Sequence, residues 1–215
     1  VTDNCGDLIC FNVNTMEVVW VQDVLDDTNC TPVFELNEET GEASIYVGTS
    51  LHWTVDGNNI GVIPFWRIDA LTGEVVWKAP GYRCTRSNVS GGIQDTAALG
   101  KGKLSDLVYV AYAMTTETET RGLLVAYNKA DGTEVWKKHL GAYAWSSPLI
   151  LYDDNGDGYV VQCDSAGHMY LFDGRTGETL DRLDLEGNFE ASPAAFDNMI
   201  VVGTRASKIY GVKLK

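Results

Sequence analysis

Short β-rich apolar runs recur along the chain, separated by clusters of Gly, Asn, Asp and Thr that suit tight turns. Segments such as "ASIYVG" (43–48), "DLVYVAY" (106–112), "YVVQC" (159–163) and "MIVVG" (199–203) have the β-branched and aromatic content of buried strands. Around them, one phrase appears four times: "FNVNTMEVVW" from Phe11, "RIDALTGEVVW" from Arg67, "AYNKADGTEVW" from Ala126 and "LFDGRTGETLD" from Leu171. Its aligned polar residues are Asn12, Asp69, Asn128 and Asp173, which places successive copies 57, 59 and 45 residues apart.

The phrase predicts a β-hairpin. Asp or Asn bonds the turn backbone, Gly73, Gly132 and Gly177 supply a positive φ, and β-branched residues resume the strand. Three copies end in a tryptophan, Trp20, Trp77 or Trp136, large enough to fill a gap between neighbouring sheets and able to fasten through its N–H. Asp181 stands at that place in the fourth, so the last hairpin is expected to dock less tightly.

A second phrase precedes each β-rich run: "CTPVFEL", "QDTAALG", "SSPLILY" and "ASPAAFD". Small residues lead it, as suits a crowded inner strand, and Pro stands where a strand begins and no ladder donor is lost. Each unit therefore reads as four antiparallel strands, and the fold class as all-β: a β-propeller in partial ring. The expected division is an incomplete blade at 1–28, full blades at about 29–84, 85–140 and 141–184, and an incomplete blade at 185–215.

This count expects Lys215 near the C-terminus of a larger ring whose closing strand lies elsewhere. Two alternatives stay open. The strand at Val18–Gln22 closes a four-bladed ring, or a second copy pairs at the open edges.

Charge and composition narrow the function classes. A formal charge of −14, with 16 scattered Lys and Arg, lacks the basic stripe of a nucleic-acid binder. Apolar runs stop far short of the roughly 20 residues of a membrane-spanning helix. The five cysteines (Cys5, Cys10, Cys30, Cys84, Cys163) include no CxxC pair; they read as small buried hydrophobes, with one N-terminal bridge as the alternative.

The "D-x-x-T-G-x-x-x-W" hairpin, the "S-P" inner strand and the "V-Y-V-G" second strand together resemble the pyrroloquinoline-quinone-like (PQQ-like) propeller repeat with its tryptophan-docking motif. The resemblance covers nearly the whole chain and is nearest to secreted bacterial PQQ-binding-like propellers, mostly eight-bladed. It implies an extracellular, cell-surface or periplasmic location. Related repeats also serve quinoprotein alcohol dehydrogenases, a lipoprotein of outer-membrane assembly and sensor domains, so the fold assigns no chemistry. A quinone enzyme of this kind uses a calcium site, a catalytic Asp and, in the dehydrogenases, vicinal cysteines. No adjacent cysteines exist here, and PQQ is not expected.

The candidate metal site is calcium at Asp153, Asn155 and Asp157, whose alternate spacing before Gly158 directs oxygens to one centre. The competing reading is an Asp/Asn/Gly turn. Long aromatic connections gather on one face of the propeller, where His52, Trp53, Tyr82, Arg83, Arg86, Tyr143 and Trp145 form a candidate ligand-binding surface for a protein or glycan. The first expectation is a non-catalytic binding or scaffolding propeller. A quinone-dependent oxidoreductase and a carbohydrate-binding propeller are the alternatives.

Overall fold

A computed structural model describes residues 1–214. Among the described residues, seventeen strands form five antiparallel sheets in strict chain order. Sheet I is β1 (Asp7–Phe11) and β2 (Val18–Asp23). Sheet II is β3 (Val33–Leu36), β4 (Ala43–Gly48), β5 (Ile60–Asp69) and β6 (Val75–Thr85). Sheet III is β7 (Ala98–Leu99), β8 (Leu107–Ala113), β9 (Gly122–Asn128) and β10 (Glu134–Leu140). Sheet IV is β11 (Leu149–Tyr152), β12 (Gly158–Cys163), β13 (His168–Asp173) and β14 (Thr179–Asp184). Sheet V is β15 (Ala194–Phe196), β16 (Met199–Gly203) and β17 (Ile209–Lys213). The chain is an all-β partial propeller.

The sheets pack face to face because their middle strands are apolar on both sides. Every residue of β8 is buried: Val108, Val110 and Tyr112 join the core shared with sheet II, whereas Leu107, Tyr109 and Ala111 face sheet IV. Strand β16, the middle strand of sheet V, packs against another sheet on one face only. Ile200 and Val202 are buried against sheet IV, while Met199 and Val201 are exposed. Strand β2 pairs with β1 and not with β17, so the four-bladed closure is not formed among the described residues.

Two repeated devices bind sheet to sheet. Trp20, Trp77 and Trp136 donate their indole N–H to the carbonyls of Ala70 (3.2 Å), Lys129 (2.8 Å) and Gly174 (3.0 Å), each in the outer hairpin of the next sheet. Each ring lies against that hairpin's glycine: a Cβ on Gly73, Gly132 or Gly177, all at positive φ, would fall 2.6–2.7 Å from the indole.

Along the inner edge, the backbone N–H of Thr31 reaches Thr96 Oγ1 (3.3 Å), that of Thr96 reaches Ser147 Oγ (2.9 Å), and that of Ser147 reaches Ser192 Oγ (3.0 Å). Small size is thus half the reason for Ser and Thr there. Their hydroxyls also accept the neighbouring sheet's orphan donor.

Candidate functional site

The connections from the fourth strand of one sheet to the first of the next, and those between second and third strands, share one face. At its N-terminal end lies Asp26, a fully buried carboxylate between β2 and β3. It accepts the N–H groups of Asp27 (2.7 Å), His52 (3.0 Å), Trp53 (2.9 and 3.0 Å) and Thr54 (2.9 Å), and the Thr54 hydroxyl (2.6 Å). Burial pushes this carboxyl up, but the Thr54 hydroxyl and the three N–H groups of residues 52–54 outweigh that and hold it below the usual carboxylate range. An ionised Asp26 therefore organises the β4–β5 connection around itself.

The product is a fixed aromatic pair. The His52 and Trp53 rings stack at 4.5 Å and 25°, Trp53 Nε1 donates to the Asn4 carbonyl (2.7 Å), and His52 Nδ1 lies 3.4 Å from Asp27 Oδ2. Arg86 braces it from the β6–β7 connection, donating from Nη1 to the His52 carbonyl at 2.9 Å. Despite these ties, Trp53 remains 61% exposed.

The other candidate residues divide. Tyr82 and Arg83 lie within strand β6 rather than in a loop, because a bulge at Gly81 (φ 70°) lets the strand continue past Pro80 to Thr85. Tyr82 is buried: its ring meets Tyr112 edge-on at 4.9 Å, its hydroxyl donates to Glu134, and Lys137 Nζ sits 5.0 Å above it. Desolvation and that carboxylate raise its pKa. It is a packing residue, which corrects its placement on a binding loop. Arg83 is exposed, 4.0 Å from Asp56. Tyr143 and Trp145 form a second ring pair at 5.6 Å, both half-buried, with Trp145 Nε1 buried and without a hydrogen-bond partner among the described residues. No hydrogen bond or ring contact joins this pair to His52 and Trp53 among the described residues.

At the calcium candidate, Asp153 Oδ1 accepts the N–H groups of Asn155 and Asp157 (both 2.9 Å), Tyr159 donates to Asp153 Oδ2 (3.3 Å), and Asp157 is paired with Lys103 at 2.8 Å. Those carboxylates close a turn and an ion pair. No cluster of three His, Cys, Asp or Glu suited to a metal occurs among the described residues. All five cysteines are free thiols, so the N-terminal bridge is not formed; burial pushes Cys30, Cys84 and Cys163 each up to about 12, as befits unreactive core residues.

A second carboxylate on this face escapes sequence reasoning. Asp164, fully buried after β12, accepts the N–H groups of Ala142 (3.1 Å), Ala166 (3.0 Å) and His168 (3.2 Å), the Tyr170 hydroxyl (3.2 Å), and pairs with His168 Nδ1 at 2.8 Å. Its only sequence signal is an Asp three residues before Gly167 in a turn, which reads as ordinary. The opposite face carries an interlock instead: the buried Lys129 ammonium meets Glu35 (2.5 Å) and the Gly100 carbonyl (3.0 Å), and Arg67 reaches Glu42 (2.5 Å), Ser44 (2.9 Å) and the Lys129 carbonyl (3.1 Å).

Comparison with known proteins bears on this arrangement at the level of family and fold. A family model described as outer membrane protein assembly factor BamB matches residues 1–142 and again 66–215. No curated protein sequence matches the chain. Among solved structures, BamB from Moraxella catarrhalis superposes with a TM-score of 0.61 at 15% identity, over 98% of this chain and 53% of that one. A europium-containing methanol dehydrogenase gives 0.61 at 15% identity over 96% and 43%. The quinohemoprotein alcohol dehydrogenase ADHIIG from Pseudomonas putida HK5 gives 0.58 at 16% over 83% and 32%. The chain thus spans about half the length of the BamB structure and less of the dehydrogenases. At such identities the likeness is one of fold.

Proposed function

The chain belongs to the PQQ-like propeller family whose model is described as outer membrane protein assembly factor BamB, and from that premise we propose that it is a non-catalytic binding or scaffolding propeller of the cell envelope that engages a protein partner through the face holding Asp26 and Asp164. The observation that carries this reading is the use of two buried carboxylates to fix connecting loops rather than to serve a reacting group. Loops fixed on a rigid scaffold present side chains with little ordering cost on association. The face offers Trp53 and Arg83 exposed, with His52, Arg86 and Tyr143 partly so. Family membership supports the envelope location and a protein as partner.

The experiment is site-specific photo-cross-linking in the envelope of cells carrying the whole protein. Probes at Arg83, Arg86 and Tyr143 are expected to give discrete protein adducts, and probes at Asn37, Asp131 and Arg175 on the opposite face are expected to give none. Equal labelling from both faces, or none from the first, overturns the reading.

A further inference from the structure

Trp53 is both exposed and tied down by its neighbours. The backbone N–H groups of His52, Trp53 and Thr54 and the Thr54 hydroxyl, all bonded to Asp26, hold residues 52–54, and the indole N–H is anchored on Asn4. His52 covers one face of the ring, so a single face is left to solvent. The ordering entropy of that ring is already spent in the free protein, the condition for a stacking platform.

The surroundings define what stacks there. The remainder of the β4–β5 connection is polar: Thr54, Asp56, Gly57, Asn58 and Asn59 are exposed. Asp56 Oδ1 holds the turn by accepting the N–H groups of Asn58 and Ile60, which leaves the Asn58 and Asn59 side-chain amides exposed without a hydrogen bond among the described residues. Arg86 is tied to this connection twice, by its backbone N–H to the Asn59 carbonyl (2.8 Å) and by Nη1 to the His52 carbonyl. A peptide anchor requires an apolar pocket or several neighbouring apolar groups, and this connection exposes no large apolar side chain other than Trp53. A cationic ligand would meet the Arg86 guanidinium. A ring with weakly positive C–H groups on one face and hydroxyls around its rim suits both the negative indole face and the amides of the same connection with the guanidinium bonded to it.

We propose that Trp53, with Asn58, Asn59 and Arg86, forms a binding site for a pyranose ring of a neutral or acidic glycan. The site shares the loop face with the proposed protein partner but does not depend on that partner. Asp26 is its positioning residue.

The test is a glycan array carrying neutral and uronic-acid pyranosides, probed with the whole protein and with Trp53→Ala, Trp53→Phe and Asn58→Ala, followed by titration calorimetry on the strongest ligand. Trp53→Ala is expected to weaken binding tenfold or more, Trp53→Phe to keep part of it, and Asn58→Ala to weaken it severalfold; Asn58→Ala keeps its melting midpoint because that side chain is exposed and unbonded among the described residues, and an unchanged far-ultraviolet circular dichroism spectrum checks that the Trp53 variants stay folded. Loss confined to uronic-acid ligands on Arg86→Gln assigns the guanidinium to a carboxylate; equal loss for both classes assigns it to hydroxyls. Absence of glycan binding by the unaltered protein, or binding indifferent to Trp53→Ala, overturns the proposal. Cross-linking from Arg83 and Tyr143 in the Trp53→Ala protein reads the protein partner separately, so either reading can fail alone.

Discussion

The seam between sheets III and IV and the seam between sheets IV and V are built from the same repeat and differ in two linked features: the residue at the docking position of the outer strand, and the outer hairpin that receives it, which the three-stranded sheet V does not have among the described residues. In the first, Trp136 is buried, stands between Tyr109 (5.7 Å) and Phe172 (6.4 Å), and fastens to Gly174 over Gly177. In the second, Asp181 occupies the corresponding place, β14 is exposed along its whole length, and a cleft of about 420 Å³ remains, lined by Val161, Met169, Leu171, Leu183, Ile200 and Val212. One tryptophan supplies both the apolar volume and the directional bond of a seam. Without it, apolar contact holds the last sheet together with the inner hydroxyl ladder.

The largest expected effect breaks the first seam. Trp136→Ala removes a buried indole and its bond to Gly174, at a cost of about 3–5 kcal/mol, whereas Asp181→Ala stays within about 0.5 kcal/mol; urea unfolding of both variants checks the contrast. A comparable loss at both positions would mean that the two seams are equivalent.

The next effect is one of pH and separates inner ends. Asp95, Ser146 and Ala191 each precede a ladder hydroxyl, and of these Asp95 is the buried carboxyl: Oδ2 accepts the Ala111 N–H (3.0 Å), Oδ1 has no partner among the described residues, and burial pushes its pKa up to about 8. Folded Asp95 keeps a proton that the unfolded chain releases, so its contribution to stability is full below about pH 4 and is lost as pH rises toward 8, at up to about 1.4 kcal/mol per pH unit. Asp95→Asn is expected to flatten that slope. Hydrogen exchange corrected for intrinsic rate should show the Ala111 amide losing protection across this range while the Val202 amide in sheet V does not.

Two smaller effects sharpen the comparison. Gly177→Ala places a Cβ at φ 70° and 2.6 Å from the Trp136 ring, at about 1–3 kcal/mol in strain and overlap, again read by urea unfolding. Asp181→Trp sets an indole over the cleft at the last seam; with no outer hairpin of sheet V among the described residues to take its N–H, a gain of about 0.5–2 kcal/mol comes from apolar burial alone and is visible as a raised thermal midpoint. A lowered midpoint would show that the ring cannot enter.

Much of the fold was legible because the repeat writes its requirements locally. Asp69, Asn128 and Asp173 bond N–H groups two or three residues on, and Gly73, Gly132 and Gly177 stand where φ is positive; such short-range demands leave a phrase in the sequence. The extent of β6 was not legible: Pro80–Gly81 punctuates like a loop, and only pairing with β5 across a bulge keeps it a strand. Nor were the organising carboxylates. Asp26 acts on backbone N–H groups 26 to 28 residues away, and Asp164 on one 22 residues back; backbone donors carry no residue identity, so no pattern of letters marks them.

By itself the sequence determined the all-β class, the sheet order and the residues that close each outer hairpin, because turn chemistry and strand alternation act over a few residues. The tertiary structure decided which residues face solvent. Tyr82 went inward against Tyr112, Asp153 turned onto its own loop backbone and Asp157 Oδ1 onto Lys103, and Trp53 stayed outside, held by a buried Asp26. Those outcomes depend on which groups meet across neighbouring strands and sheets, and that meeting is settled only when the sheets stack.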